Sequence, residues 1–246
     1  ADQSAADDLD ASDTATDSFT YTISDGTATD TATITITITG VNDAPVATND
    51  AGSVNEDATL SVSNGSGDII DNNDTDADDS ASLVVSAVRI GGVEGSGNAG
   101  TVGQALTGTY GQLTLNANGS YSYVANQDAA DDLDASDQVT DVFNYTLSDG
   151  TATDTATITI TVTGINDAPV ADNETGAVNE DATLTVTDGT SDVLHGDTDA
   201  DDSASLTVSA IRTGTEGGSG TSGSIGSGLT GTYGTLTLAS DGTYTY

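Results

Sequence analysis

The sequence has no cysteine, methionine or tryptophan, and no lysine: its two basic residues are Arg89 and Arg212. Without cysteine, neither a disulfide nor a thiolate metal site can hold the fold, which excludes zinc-ribbon and thiol-redox readings. Two cations against 40 Asp and Glu give a net charge of -38 and a pI near 4.1. Nucleic acid and anionic membrane surfaces are therefore poor partners, because phosphate binding needs clustered cations. No apolar run approaches the roughly 20 residues of a membrane span, and residues 1–20 lack the basic start and apolar core of a signal peptide. Large apolar residues are also scarce: Leu, Ile, Val and Phe supply 46 of 246 positions. That is under the roughly 20 % that, with high net charge, signals disorder. Composition alone predicts an unfolded chain, so a folded one requires something to neutralise its carboxylates.

What is present is order at long range. AADDLDASD occurs at 5–13 and 129–137, and SDGTATDTATITIT at 24–37 and 148–161, both offset by 124. NDAPVA (42–47 and 166–171) and VNEDATL (54–60 and 178–184) keep that offset. A one-residue deletion near His195 changes it to 123 for DTDADDSASL (74–83, 197–206) and TGTYG (107–111, 230–234). A fixed period of this size marks tandem copies of one unit. Borders are expected at the two NDAP sequences, since proline stops a ladder and extends the residue before it. The expected segments are 1–42, the C-terminal part of one repeat, 43–166, a complete repeat, and 167–246, the N-terminal part of the next.

Residues 153–163 (TDTATITITVT) alternate Thr with Ala, Ile or Val at strict period two, the pattern of a half-buried strand. Residues 142–147, 82–90 and 58–62 are further strand candidates, rich in β-branched and aromatic side chains. Runs 110–115 and 120–124 flank Asn116 to Gly119, an Asn/Gly hairpin signal. Residues 91–108 are Gly-rich and expected to form a long loop. Six or seven short strands in about 120 residues imply an all-β sandwich.

The stretches YGQLTLNANGSYSYVAN and LDASDQVTDVFNYTLSDGTATDTATITITVTGINDAPV together resemble the VCBS repeat of large bacterial surface proteins, a cadherin-like β-sandwich module. That resemblance implies tandem cadherin-like (Ig-like) sandwiches of about 123 residues, an extracellular multidomain rod, and a place in adhesins of attachment and biofilm. More distantly, LDAS, SDG, VNDAP, NED and TDAD are similar to the motifs with which cadherins bind calcium between successive domains. Carried over, the first junction uses Asp10, Asn42, Asp43, Asp76, Asp78 and Asp149. The second uses Glu56, Asp134, Asn166, Asp167, Asp199 and Asp201. Gly40 and Gly164 replace the leading Asp of the cadherin linker, and Ser136 the Glu of its LDRE motif, so fewer or weaker ions are expected.

The chemistry suits this reading, because calcium takes six to eight carboxylate and carbonyl oxygens in flexible arrangements. The run 71–79 concentrates such ligands, and Asp74, Asp76 and Asp78 alternate within it, although EF-hand spacing is not met. The plainer alternative is a solvated acidic surface adapted to salt. His195 is the sole histidine and has no equivalent in the other copy, which suits a loop residue better than a catalyst. Arg89 and Arg212 hold equivalent positions and are expected to pair with carboxylates. There is no phosphate loop, nucleophile elbow or metal-histidine set, and paired carboxylates repeated in every copy suit a building block better than a glycosidase site.

The expectation is a non-enzymatic, Ca2+-stabilised structural module of an extracellular adhesin stalk or head-to-tail filament. The alternative is an adhesion module whose Gly-rich loops, 91–108 and 213–228, contact carbohydrate or a cell. Its partners would be neighbouring copies of itself, with residues 1–42 of one segment finishing the sandwich begun by 167–246 of another. Asp25 would then join the calcium site containing Asp199 and Asp201.

Overall fold

Threonine alternating with Ala, Ile or Val favours an extended backbone with one apolar face, and the longest strands of the chain are built from such runs. The computed structural model describes residues 4–65, 67–71, 73–78, 81–187, 189, 191–201 and 204–246; residues 72 and 79 of the acidic run fall outside these. The chain divides into two compact units, residues 1–130 with 137–164, and residues 131–136 with 165–246.

The first unit opens with a short helix, α1 (Ser4–Asp7), and an antiparallel hairpin, β1 (Thr14–Ser24) and β2 (Thr29–Thr39). There follow β3 (Asp50–Asn55), β4 (Thr59–Val62), β5 (Val84–Ile90), β6 (Ala105–Thr107), β7 (Gln112–Leu115) and β8 (Tyr121–Val124). A second short helix, α2 (Asp128–Asp131), leads to β9 (Gln138–Ser148) and β10 (Thr153–Thr163). Two four-stranded sheets result, in the orders β3-β10-β9-β5 and β4-β8-β7-β6. Among the described residues only β3 and β10 run parallel; the other strand pairs are antiparallel.

The two sheets make a sandwich. Ala156, Ile158, Ile160 and Val162 of β10, and Phe143, Tyr145 and Leu147 of β9, are buried, as are Leu113, Leu115, Tyr121 and Tyr123 of the facing sheet. Tyr123 and Phe143 meet edge to face at 6.4 Å, the arrangement that ring quadrupoles favour. Sheet spacing also requires Gly52: a Cβ there would stand 2.7 Å from Leu60 and 3.0 Å from Ile160.

The second unit repeats one sheet alone. Its strands are β11 (Thr185–Val186), β12 (Ile211–Arg212), β13 (Ser222–Gly223), β14 (Gly228–Thr230), β15 (Thr235–Leu238) and β16 (Tyr244–Thr245). The order β11-β16-β15-β14 matches β4-β8-β7-β6 position for position. Residues 174–179, equivalent to β3, are not a strand, and of the β5 equivalent only β12 is, paired with β13.

The chain is thus nearly all-β, a two-sheet sandwich followed by a second copy of one of its sheets. Three strands depart from the sequence reading, among them β13, which lies within the expected loop 213–228. The stretch DAGSVN of β3 has poor strand propensity and is extended by its pairing to β10. The expected loop 91–108 contains β6, which pairs with β7.

Candidate functional site

Proline at 45 and 169 follows a linker whose polar side chains fold onto nearby loops. In the first unit, Asn42 Nδ2 donates to Asp149 Oδ2 (2.9 Å) and to the Asp43 carbonyl. The Asp43 amide donates to Asp78 Oδ2 at 3.1 Å, and the Asp78 amide to Asp76 Oδ1 at 3.0 Å. Asp10 is near enough that its charge, with those of Asp76 and Asp43, adds to the burial that raises the Asp78 carboxyl above the ordinary aspartate range. The structure therefore brings together all six residues expected at the first junction. Asp149 behaves oppositely to Asp78: amides of Ala152 and Thr151, and the Asn42 side chain, lower its pKa.

In the second unit, Asp134, Asn166, Asp167, Asp199 and Asp201 line one cavity together with Pro169 and Leu206. The Asp167 amide donates to Asp201 Oδ2 and the Asp201 amide to Asp199 Oδ1, both at 3.2 Å. This repeats the Asp43–Asp78–Asp76 chain bond for bond. Glu56 belongs to the first unit, where it is buried and its amide donates to the Thr163 carbonyl; it does not line that cavity. Asp25 stands on the exposed β1–β2 turn, its carboxylate accepting from the Thr27 and Ala28 amides.

Gly40 accounts for one departure from the cadherin linker. A Cβ at this position would collide with the carbonyl oxygens of Leu9 and Asp10, so no aspartate fits there.

The acids fall into two classes by what their oxygens meet. Asp68 accepts from the amides of Gly65, Ile70 and Asp71. Asp141, 4 % exposed, accepts from the amides of Thr109, Tyr110 and Gly111 and from the Tyr123 hydroxyl at 2.6 Å. Such carboxylates are satisfied by the fold itself. By contrast, Asp76 Oδ2, Asp78 Oδ1 and Asp201 Oδ1 are buried with no hydrogen-bond donor among the described residues. A buried carboxylate oxygen without a donor or counter-ion is costly. Hard oxygen donors converging in this way fit calcium in ligand type.

The alternating acids of the run 71–79 do not all converge. Asp74 turns away to accept from the Thr48 amide (2.7 Å) and lies 3.3 Å from the Tyr145 hydroxyl. That hydroxyl also stands 2.8 Å from the Thr48 carbonyl and 3.0 Å from Asp50 Oδ2. Burial pushes the Asp74 carboxyl up and the Tyr145 phenol far up. Sequence reasoning missed both this cluster and the Asp141 clasp, because each depends on tertiary partners and not on local spacing. Arg89 donates to the Gly97 carbonyl at 3.3 Å and pairs with no carboxylate among the described residues, and His195 is exposed.

Residues 42–164 and 166–246 each match the family described as bacterial cadherin-like domain. Among curated proteins nothing matches. Among solved structures, the chain is similar to mouse clustered PcdhgC3 EC1-3, at 20 % identity over 62 % of this chain and 44 % of that one, TM-score 0.35. It is also similar to the endo-fucoidan hydrolase MfFcnA4 of glycoside hydrolase family 107, at 20 % identity over 65 % of this chain and 20 % of that one, TM-score 0.25. The chain thus spans under half the length of either structure. Among the described residues no helix is long and apolar enough to cross a membrane.

Proposed function

We propose, from the premise that the chain belongs to the bacterial cadherin-like domain family, that it is a non-enzymatic structural module: tandem sandwiches stiffened at their linkers by Ca2+, in the stalk of an extracellular adhesin. The observation that carries this reading is the pair of donorless buried oxygens, Asp76 Oδ2 and Asp78 Oδ1, set among Asp10, Asn42, Asp43 and Asp149. Calcium would be held by Asp76, Asp78 and neighbouring carboxylates in the first unit, and by Asp199, Asp201 and their neighbours in the second. What the ion supplies is charge: it neutralises carboxylates that otherwise repel one another in a chain of net charge -38.

The residues of the chain do the positioning. Asn42 bridges the linker to the β9–β10 turn through Asp149, and the Asp43 amide fixes the Asp78 carboxylate. An ion bound there ties linker, loop and turn into one body, which suits a load-bearing rod. A site that binds the folded state alone adds about 2.7 kcal/mol when free ion is at 100 times its dissociation constant.

The test is thermal unfolding at fixed ionic strength with calcium and with excess EDTA. Calcium should raise the melting temperature of the parent, and the Asp76→Asn/Asp78→Asn chain should lose that increment. Equal melting temperatures for the parent in both buffers would remove the calcium reading. The second reading, carbohydrate or cell contact through loops 91–108 and 213–228, predicts glycan binding that is abolished by loop replacement and indifferent to those two substitutions.

A further inference from the structure

We propose that Asn118 is a self-modifying residue: in the folded chain its side-chain amide is lost as ammonia through attack by the Gly119 nitrogen, leaving aspartate or isoaspartate at the tip of the hairpin β7–β8. The inference stands whether or not the chain binds calcium. Its starting point is a glycine that the fold cannot replace. Gly119 has φ +85°, in the left-handed region that favours glycine, and a Cβ there would stand 2.9 Å from Asp68 Oδ1 and 3.0 Å from the Ile70 amide nitrogen. Packing thus sets an unhindered backbone nitrogen directly after an asparagine. Asn118 is exposed, and its Oδ1 accepts from the Ser120 hydroxyl at 2.8 Å and from the Ser120 amide at 3.3 Å. Asn116 Nδ2 donates to that hydroxyl oxygen at 3.0 Å, which leaves the hydroxyl proton for Asn118. Two donors on one carbonyl oxygen make its carbon more electrophilic and stabilise the oxyanion that forms on attack.

The Gly119 nitrogen gives its proton to solvent base and bonds to Cγ of Asn118; the Cγ–Nδ2 bond breaks, and the side-chain nitrogen leaves as ammonia. Water then opens the cyclic imide at one of its two carbonyls, giving aspartate or isoaspartate. The first product is already built in the chain. LNANGSYSY (115–123) recurs as LASDGTYTY (238–246), with Asp241 in the place of Asn118. The two turns close alike: the Asn116 amide donates to the Ser120 carbonyl at 2.9 Å and that of Gly119 to the Asn116 carbonyl at 3.1 Å, as Ala239 does to Thr243 at 2.9 Å and Gly242 to Ala239 at 3.2 Å. Gly242 has the same φ of +85°. Asp241 Oδ1 accepts from the Thr243 hydroxyl at 2.7 Å and amide at 3.1 Å, and these bonds hold its carboxyl below the ordinary aspartate range. Aspartate at 118 therefore fits the turn in its charged form. Isoaspartate routes the main chain through the side-chain carbons and cannot keep these closing bonds.

The chain carries its own control. Asn-Gly-Ser occurs twice, at 64–66 and at 118–120, so the two sites have the same local chemistry and differ in what the fold does to them. Oriented so that its nitrogen donates, the Asn64 amide gives hydrogen bonds to the Asn118 carbonyl at 2.8 Å and to Asp68 Oδ2 at 3.2 Å, and the Gly65 amide donates to Asp68 Oδ2 at 2.7 Å. Attack at 64 must break a bond to a buried carboxylate, the stronger kind, and pull the leaving nitrogen from two acceptors. Attack at 118 breaks one amide–carbonyl bond of 3.1 Å. Folding thus slows the first site relative to the second.

The test is mass spectrometry of the 246-residue chain held folded at mildly alkaline pH and sampled over time. Trypsin cuts only after Arg89 and Arg212, which puts Asn64 and Asn118 on different fragments, and fragment sequencing assigns the converted residue. Fragment 90–212 should gain the mass of an amide exchanged for an acid, at Asn118, ahead of fragment 1–89 at Asn64; in urea the two sites should convert at one rate. Ser120→Ala should slow conversion in the folded chain by about fivefold, the worth of one exposed hydrogen bond, with no change in urea, and Ser120→Thr, the residue type of the second copy, should keep the parent rate. Asn118→Asp should melt with the parent, while aged parent enriched in isoaspartate should melt lower. An Asn118 that stays intact, equal rates at 64 and 118 in the folded chain, or a Ser120→Ala chain that converts as fast as the parent would overturn the proposal.

Discussion

The sheet β4-β8-β7-β6 of the first unit and the sheet β11-β16-β15-β14 of the second are one sheet built twice, whereas the sheet β3-β10-β9-β5 is built once. The difference does not lie in the sequences of the outer strands, since 174–179 and 207–213 closely follow β3 and β5. It lies in the central hairpin. β3 pairs with β10, and β5 with β9 and, through Arg89, with Ala99; where that hairpin is not inserted, the described residues of their equivalents form a strand only at β12, which keeps the counterpart of the Arg89–Ala99 bridge. A strand of DAGSVN or NETGAVN type is therefore a product of its neighbour and not of its own propensity. The comparison teaches that the hairpin organises one of the two sheets of the sandwich and supplies seven of its buried apolar side chains.

The largest effect that separates the two hairpins is expected at their phenylalanines. Phe143 is fully buried and meets Tyr123 edge to face, so Phe143→Ala should cost the sandwich about 3–5 kcal/mol. Phe19, 57 % exposed, should change the stability of a dilute, unassembled chain by less than about 0.5 kcal/mol when truncated. Urea unfolding followed by tyrosine fluorescence measures both. Equal losses would mean that β1–β2 is as well packed as β9–β10, and the comparison would collapse.

A smaller separation is expected at the aspartates two residues earlier. Asp141→Ala leaves three loop amides and the Tyr123 hydroxyl without their acceptor, at about 2–4 kcal/mol for buried groups left unsatisfied. Asp17→Ala in dilute chain should be nearly silent. Should Asp141→Ala also prove silent, the clasp on residues 109–111 is filled by water and the aspartate is not structural.

Much of this was legible in advance and some was not. The alternation of 153–163 gave β10 residue for residue, because period two is a local signal that burial on one face enforces. The linker acids came from motif order, and those of the first unit do converge. The separation of Asp74 from Asp76 and Asp78 was illegible: in sequence the three alternate alike, and it is Thr48 and the Tyr145 hydroxyl, 26 and 71 residues away, that draw Asp74 aside. The strand β3 was hidden for the same reason, its partner lying about 108 residues further on.

Glycine 52 sharpens the comparison by a finer margin. Gly52→Ala would set a methyl 2.7 Å from Leu60 and 3.0 Å from Ile160, with both sheets holding those neighbours in place, and overpacking of this kind costs about 1–3 kcal/mol. Gly176→Ala meets Leu184 and Tyr244 at 2.9 Å but no isoleucine, and its free side lets the methyl be accommodated. The same denaturant series reads both, and a larger loss at 176 than at 52 would contradict the open face.

The smallest effect is a dependence on pH, and its sign distinguishes a bare acidic cluster from an occupied one. Burial raises the carboxyls of Asp74 and Asp78, the latter helped by the charges of Asp76, Asp10 and Asp43. A carboxyl whose folded pKa lies above its unfolded value contributes stability while protonated, below the unfolded pKa, and loses it as pH rises through the folded pKa. In EDTA these two groups should therefore make the first unit more stable at pH 5 than at pH 7. Asp149 works the other way: amides of Ala152 and Thr151 lower its pKa, so its contribution is present above the unfolded value near 4 and is lost only as pH falls below that. The two trends leave a maximum on the acid side of neutrality in chelator. With calcium the order of pH 5 and pH 7 should invert, because protons compete with the ion for Asp76 and Asp78. Melting curves at both pH values in both buffers decide it. A chain that loses stability from pH 7 to pH 5 in EDTA as steeply as in calcium has no strained carboxylates at the linker, and the contrast drawn between donorless Asp78 and the well-satisfied Asp141 would be false.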